Sequence, residues 1–372
     1  MKKSLLAALV LASIGQIAHA QSSVTLYGIL DAGIDFANNQ GGASSTQAVS
    51  GIIQGSRWGV TGAEDLGGGT KAIFRLENGF DIMRGTLLQG GRMFGRAAYV
   101  GLTNPVYGTI TIGRQNDFVA DYLGPLVSVG QWGILFPHAG DVDNTGIDFR
   151  ISNSVKYQSI SYSGLQFGGL FGFGNTAGDF QRNSVVTGGV KYDNGPVSFA
   201  VAYLRVKNPY TAVPEGVWTP ANTVDGNYGI AAGTYQVFGA GGRYRFGKAA
   251  VALEYTNTQF KDLDPSVGAG IGGKVTFHVA EIDGSYQLTP ALLLGGGYNY
   301  TFGKVAATGA QPRYHEVNAI LDYLLSVHTD LYVMAVWQKA AGDARYANLA
   351  PVISASSTDS QFVTRIGIRH TF

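Results

Sequence analysis

The chain has 372 residues, of which 54 are glycine, none is cysteine and only 14% are charged. Glycine stands at about twice its ordinary share of ~7%, and the lack of cysteine excludes disulfides, thiolate metal sites and cysteine nucleophiles together. Lys and Arg total 26 against 25 Asp and Glu, a formal charge of +1, so no basic field points to a nucleic-acid partner.

Residues 1–20 read as a cleaved signal peptide. Lys2 and Lys3 form a positive start, Leu5 to Ile17 is mostly apolar, and Ala18-His19-Ala20 supplies an A-x-A cleavage site. The apolar stretch is too short for a membrane anchor, and no later run of ~18 apolar residues could cross as a helix. The exported domain is therefore expected over 21–372.

From the mature start the chain alternates. Val24, Leu26, Leu30, Ala32, Ile34 and Phe36 take one face, while Thr25, Tyr27, Asp31 and Asp35 take the other. A period of two puts these sets on opposite sides of a strand. Similar segments predict strands near 23–36, 52–63, 70–80, 92–103, 107–115, 150–158, 165–173 and 184–193. Eight more follow near 196–206, 235–246, 248–258, 274–288, 291–301, 314–325, 329–339 and 361–372. Sixteen tilted strands of ~10 residues would use about 160 residues.

The connections are of two kinds. Short ones such as Asn104-Pro105-Val106, Asp193-Asn194-Gly195-Pro196 and Gly247-Lys248 carry tight-turn residues. They alternate with long polar stretches at 37–51, 116–149, 207–234, 259–273 and 340–360. Short turns at one end and long loops at the other are the pattern of an outer-membrane barrel. The fold class expected is all-β, a transmembrane antiparallel β-barrel of 16 strands. It must close, because an open edge in hydrocarbon leaves unpaired amides, and a barrel of this size leaves an aqueous channel. A change of phase between Val279 and Ala280 predicts a bulge in 274–288.

Several segments resemble the Gram-negative general porins. They are Ser23-Val24-Thr25-Leu26-Tyr27-Gly28, Ser56-Arg57-Trp58-Gly59-Val60-Thr61-Gly62-Ala63-Glu64-Asp65-Leu66-Gly67, and Arg96-Ala97-Ala98-Tyr99-Val100-Gly101-Leu102. Gly108-Thr109-Ile110-Thr111-Ile112-Gly113-Arg114-Gln115, Asn153-Ser154-Val155-Lys156-Tyr157 and the terminal Phe372 match as well. The resemblance covers essentially the whole mature chain. It implies a homotrimer of sixteen-stranded barrels in the Gram-negative outer membrane, among its lipid and lipopolysaccharide. In each barrel the third loop folds into the lumen, and ions and small hydrophilic solutes diffuse passively through.

Alternation itself aims Arg57, Arg75, Arg150 and Lys156 at the lumen; Arg96 joins them by resemblance, and because an arginine facing lipid is costly. The resemblance makes these the basic wall of a constriction. The acids opposite come from the longest connection, 116–149, where the family's Pro-Glu-Phe-type motif is replaced by Gly124-Pro125-Leu126 and Gln131-Trp132. Asp117 and Asp121 are assigned to the narrowest point. More distant lumen charges, Glu77 among the acids, nearly cancel, which leaves a weak anion preference as the expectation. Arg114 shares the parity of Ile110 and Ile112 and is expected to point outward into a trimer contact, with Asp81 to Gly91 as a latch over a neighbour.

No catalytic or metal-binding residue and no cofactor is expected. The mature histidines stand isolated, and neither H-E-x-x-H nor G-x-S-x-G occurs. The alternative functions on the same scaffold are a substrate-specific channel and an adhesive or structural outer-membrane barrel.

Overall fold

The computed structural model describes residues 23–216, 228–267, 270–349 and 353–372. The expected signal peptide lies outside the described residues. The strands are β1 Ser23–Gln40, β2 Ala43–Ser50, β3 Arg57–Gly67, β4 Thr70–Asp81, β5 Thr86–Leu87, β6 Ala97–Asn104, β7 Gly108–Gln115, β8 Ile151–Gln158 and β9 Leu165–Gly172. They continue as β10 Val185–Asn194, β11 Val197–Lys207, β12 Ala232–Phe246, β13 Ala249–Leu263, β14 Gly273–Thr289, β15 Leu292–Val305, β16 Pro312–Leu324, β17 Thr329–Gly342 and β18 Ser360–Thr371.

All pairings are antiparallel between neighbours, and the ring closes where β1 meets β18, from Ile29↔Thr371 to Ala37↔Val363. Gly28 and Phe372 exchange both backbone hydrogen bonds at 2.9 and 3.0 Å, so the last residue completes the seam. β2 and β3 pair with the upper and lower parts of β1 and form one interrupted stave. β5 is a two-residue extension paired only with β4. Sixteen staves result.

The strand expected over 52–63 starts at Arg57 instead. Gly51 has φ 75°, a left-handed conformation that suits glycine and breaks the extended run. Residues 51–56 then fold inward, where Gln54 N donates to Asp31 Oδ2 at 2.8 Å and Ile52 O accepts from Ile134 N at 2.8 Å.

The outer surface is apolar. Leu26, Ile112 and Ile366 are 61%, 58% and 61% exposed, and these are the alternate positions that the sequence pattern assigns to lipid. The inner surface is more mixed than expected. Segment 116–150 lies against the inner wall, burying Phe118, Tyr122, Leu123, Leu126 and Trp132 on β9–β15. The bulge expected at Val279/Ala280 is absent, since Thr256↔Val279 and Tyr255↔Ala280 follow one another in unbroken register. Val275, Phe277 and Val279 point inward and are buried under the loops. The strand keeps its alternation, and its apolar positions there face inward because they pack into the core under the loops.

Candidate functional site

With one half of the lumen filled by segment 116–150, the open half runs along β1, β3, β4, β6, β7 and β8. A cavity of about 290 Å³ there is lined by Arg57, Arg75, Arg96, Arg150 and Lys156, with Glu77 and Asp121 as its carboxylates. A second cavity of about 370 Å³, bounded by Gly51–Gly55, Leu88, Gln89 and the far side of segment 116–150, shares Arg57, Arg96 and Arg150 with the first. Arg57, Arg96 and Arg150 therefore border both cavities.

The charges there are partly spoken for. Arg96 Nε donates to Glu77 Oε1 at 2.8 Å, and Arg75 pairs with Glu77 Oε2. Tyr27 OH donates to Glu77 at 2.7 Å and accepts from Arg75 Nε at 2.7 Å. Arg57 Nε donates to Gly55 O at 2.7 Å. Neither Arg57 nor Arg150 has a hydrogen-bonded carboxylate among the described residues. Lys156 pairs with Asp121 and donates to Asn116 O at 2.9 Å, its ammonium lying 4.6 Å from the centre of the Phe118 ring. Five cationic side chains face two anionic ones, an excess of three: Arg57 and Arg150 have no carboxylate, and Arg75 and Arg96 share the single Glu77.

Glu77 corrects the expectation that placed it among remote, cancelling acids. It sits on the register row Tyr27–Gly59–Glu77. A Cβ at Gly59 would fall 2.7 Å from Tyr27 Oη, so only glycine lets the phenol cross to the carboxylate. The signal in the sequence was the parity of Glu77 with Arg75, two residues away on the same face of one strand.

Two further placements differ from expectation. Asp117 is fully buried behind the channel and does not line it. Its Oδ1 accepts from Val119 N at 2.8 Å and Ala120 N at 3.1 Å, and its Oδ2 from Asn144 Nδ2 at 2.7 Å. The side chain thus caps the turn that starts the inward loop. Burial pushes its carboxyl up to about 6. Arg114 is also buried, donating to Gly95 O at 2.7 Å and Ser152 Oγ at 2.8 Å and paired with Glu215 of its own chain at 2.7 Å. A register shift between Gly113 and Gln115, with Gly113 at φ 143°, ends the alternation that had sent it outward. Arg92, one residue beyond the expected latch, pairs with the same Glu215 at 2.8 Å.

The inward loop is held by a histidine the sequence reading left isolated. His138 Nδ1 meets Asp143 Oδ2 at 2.7 Å and Nε2 meets Glu281 Oε2 at 2.9 Å, with the imidazole 1% exposed. Two ring nitrogens facing two carboxylates require both protons, an imidazolium. Although burial opposes its charge, the carboxylates beside it, Asp143 foremost, hold its pKa well above the ordinary value. Glu281 also accepts from Ser128 N at 2.7 Å. Nothing in the sequence pairs His138 with a residue 143 positions away.

The sequence profile of the Gram-negative porin family matches residues 6–342. Over 426 aligned residues the chain is 31% identical to an outer membrane porin protein of Bordetella pertussis, with 100% of both chains covered. It is 29% identical to outer membrane porin protein 32 of Delftia acidovorans, again with 100% of both covered. An anion-selective porin from Comamonas acidovorans superposes at TM-score 0.77 with 25% identity, covering 95% of this chain and 100% of its own. The trimer form of OmpT of Vibrio cholerae shares the fold at TM-score 0.67 and 18% identity, over 94% of this chain and 99% of its own. Family and fold point to a channel rather than an enzyme, and neither the substrate-specific nor the adhesive reading is favoured. A closed barrel with a charge-lined channel along one wall, matched end to end by known porins, belongs to the Gram-negative porin family: the chain is an outer-membrane porin that lets ions and small hydrophilic solutes diffuse passively.

Proposed function

We propose that the channel is narrowest at the layer of Arg57, Arg96 and Arg150, and that this layer gives it a weak preference for anions. One observation carries the reading: both sections of the channel are lined by the same three arginines. Arg75 and Lys156 extend the basic wall towards the opposite section, and Asp121, not Asp117, supplies the loop's carboxylate there. In a narrow, wet pore, charged side chains set ion preference. The guanidinium groups of Arg57 and Arg150 that lack a carboxylate partner tip the balance towards anions. A solved relative described as anion-selective accords with this sign.

The functional unit is a homotrimer embedded in outer-membrane lipid and lipopolysaccharide, exported by cleavage after Ala20. The family resemblance and a fold neighbour solved in trimer form support the trimer. Removal of residues 1–20 rests on the A-x-A pattern.

Changing Arg57, Arg96 and Arg150 together to Ser clears three long side chains from the proposed layer. Single-channel conductance in a planar bilayer should rise. Conductance equal to that of the unaltered protein would place the narrowest section elsewhere.

A further inference from the structure

The connection that follows β11 carries an acid to the basic wall of the channel. Asn208, at φ 47°, ends the extended run of β11, and Pro209–Ala212 then makes one helical turn, with Ala212 N donating to Asn208 O at 2.9 Å. Val213 comes next, 1% exposed in the apolar core under the loops. Val213-Pro214-Glu215-Gly216 forms a β-turn closed by Gly216 N donating to Val213 O at 3.1 Å. Proline in the second position presets the turn's backbone. Glu215 is its third residue and is held in place by the buried Val213 at its start.

The Glu215 carboxylate reaches past β10, β9 and β8 to the outer end of β7. Its Oε1 pairs with Arg114 at 2.7 Å and its Oε2 with Arg92 at 2.8 Å, and the Glu215 and Arg114 side chains are both buried. Arg114 in turn grips the channel wall. Besides bonding Gly95 O and Ser152 Oγ, it donates from Nη1 to the backbone carbonyl of Arg150 at 3.3 Å. Around the Arg150 guanidinium, the charges of Arg96, Arg114 and Arg57 repel and that of Glu215 attracts. Glu215 therefore ties two loops to the arginine layer and brings negative charge to the one member of that layer whose backbone Arg114 holds.

We propose that Glu215 is a selectivity-determining residue: residues 208–216 carry its carboxylate to the arginine layer, where it offsets part of the positive field and limits the preference for anions. This role rests on the reading in which that layer sets ion preference.

The test is the zero-current potential in a tenfold KCl gradient, from which the anion-over-cation permeability ratio is read. Glu215→Gln should raise that ratio about twofold, the effect of one unit charge about 10 Å from the permeating ions after screening. Glu215→Asp keeps the charge and should keep the ratio. Arg92→Gln, a change at a half-exposed side chain that leaves the barrel intact, removes a cation beside the same carboxylate and should lower the ratio. Glu64→Gln, near the opposite end of the barrel on β3, should leave it unchanged. The Glu215→Gln shift should shrink at higher salt, because the Debye length falls from about 10 Å at 0.1 M to about 3 Å at 1 M; a loosened loop alone would give no such dependence. A Glu215→Gln channel with an unchanged or lowered ratio, a shift equal at both salt levels, or an Arg92→Gln channel with a raised ratio would overturn the proposal. The combined Arg57→Ser, Arg96→Ser, Arg150→Ser change separates the two readings. If it leaves the potential unaltered while Glu215→Gln moves it, the arginine layer is misassigned; if it moves the potential and Glu215→Gln does not, the role of Glu215 fails alone.

Discussion

At the scale of single residues, the basic wall is set by which charges have partners. Glu77 occupies Arg75 and Arg96, and Asp121 occupies Lys156, so the field of the pore depends on Arg57 and Arg150. Two carboxyls, Asp141 and Asp148, lie beside the outer section. Asp141 is pushed up to about 7 by burial and by Asp143, and Asp148 is pushed well above the ordinary range by burial and by Asp141. Both line the section that shares the arginines. Acidification protonates raised carboxyls and removes negative charge, so anion preference should strengthen as pH falls from 8 to 5. Asp141→Asn with Asp148→Asn should flatten that dependence; a pH response surviving the double change would refute it. His138 makes a different prediction. Its raised pKa means that its contribution to stability is complete below the ordinary value of ~6.5 and is lost as pH rises through the raised one. His138→Phe strands two buried carboxylates, and losing one side of such an ion pair costs about 3–5 kcal/mol. Open-channel noise should rise and the melting temperature fall; a quiet channel with unchanged melting would contradict the clamp.

At the scale of elements, the inward loop fits because the wall behind it is built from glycine. A Cβ at Gly168 would lie 2.3 Å from Phe118 Cζ, one at Gly239 2.5 Å from Leu123 Cδ1, and one at Gly295 2.7 Å from Trp132. These glycines are sockets on the inner face. Gly295→Val should push Trp132 off the wall towards the channel, at an overpacking cost of about 1–3 kcal/mol. Lower conductance together with a lower melting temperature is expected, and no change in either would show that the loop is not seated there. The staves were legible in the sequence because lipid outside and water inside impose a period of two. The loop's seat was not. Val275, Phe277 and Val279 mimic a change of phase because apolar residues there face inward under the loops, and Gly295 and Gly297 leave room on the inner wall for Trp132 and Ser128. Likewise Ile52 and Ile53 are apolar because they pack on Leu135 and Phe136 inside the barrel, which mimics the start of a strand. Long-range packing onto the inner face leaves no local period to read.

At the scale of the whole molecule, several lumen charges are paired where they stand. Arg365 bonds Asp35 at 2.6 Å and Asp31 at 3.3 Å, and Arg369 bonds Asp330 at 2.6 Å. Separations beyond ~8–10 Å are screened at physiological salt, so a near-neutral chain can still select ions at one layer. The arginines that build that layer were legible one by one: parity sent Arg57 and Arg150 inward, and Arg96 followed by resemblance and because an arginine facing lipid at mid-depth would cost about 2–4 kcal/mol. Their meeting on a single level was not, because it depends on the stagger of β3, β4, β6 and the loop before β8. The account's central claim is that this layer, and not net charge, sets selectivity. The direct test is the zero-current potential in a tenfold KCl gradient, compared between the unaltered protein and Arg57→Ser, Arg96→Ser, Arg150→Ser combined. The unaltered channel should show the sign of mild anion preference, and the triple change should move the potential towards cations. An unaltered channel that favours cations, or a triple variant with the same potential, would contradict it.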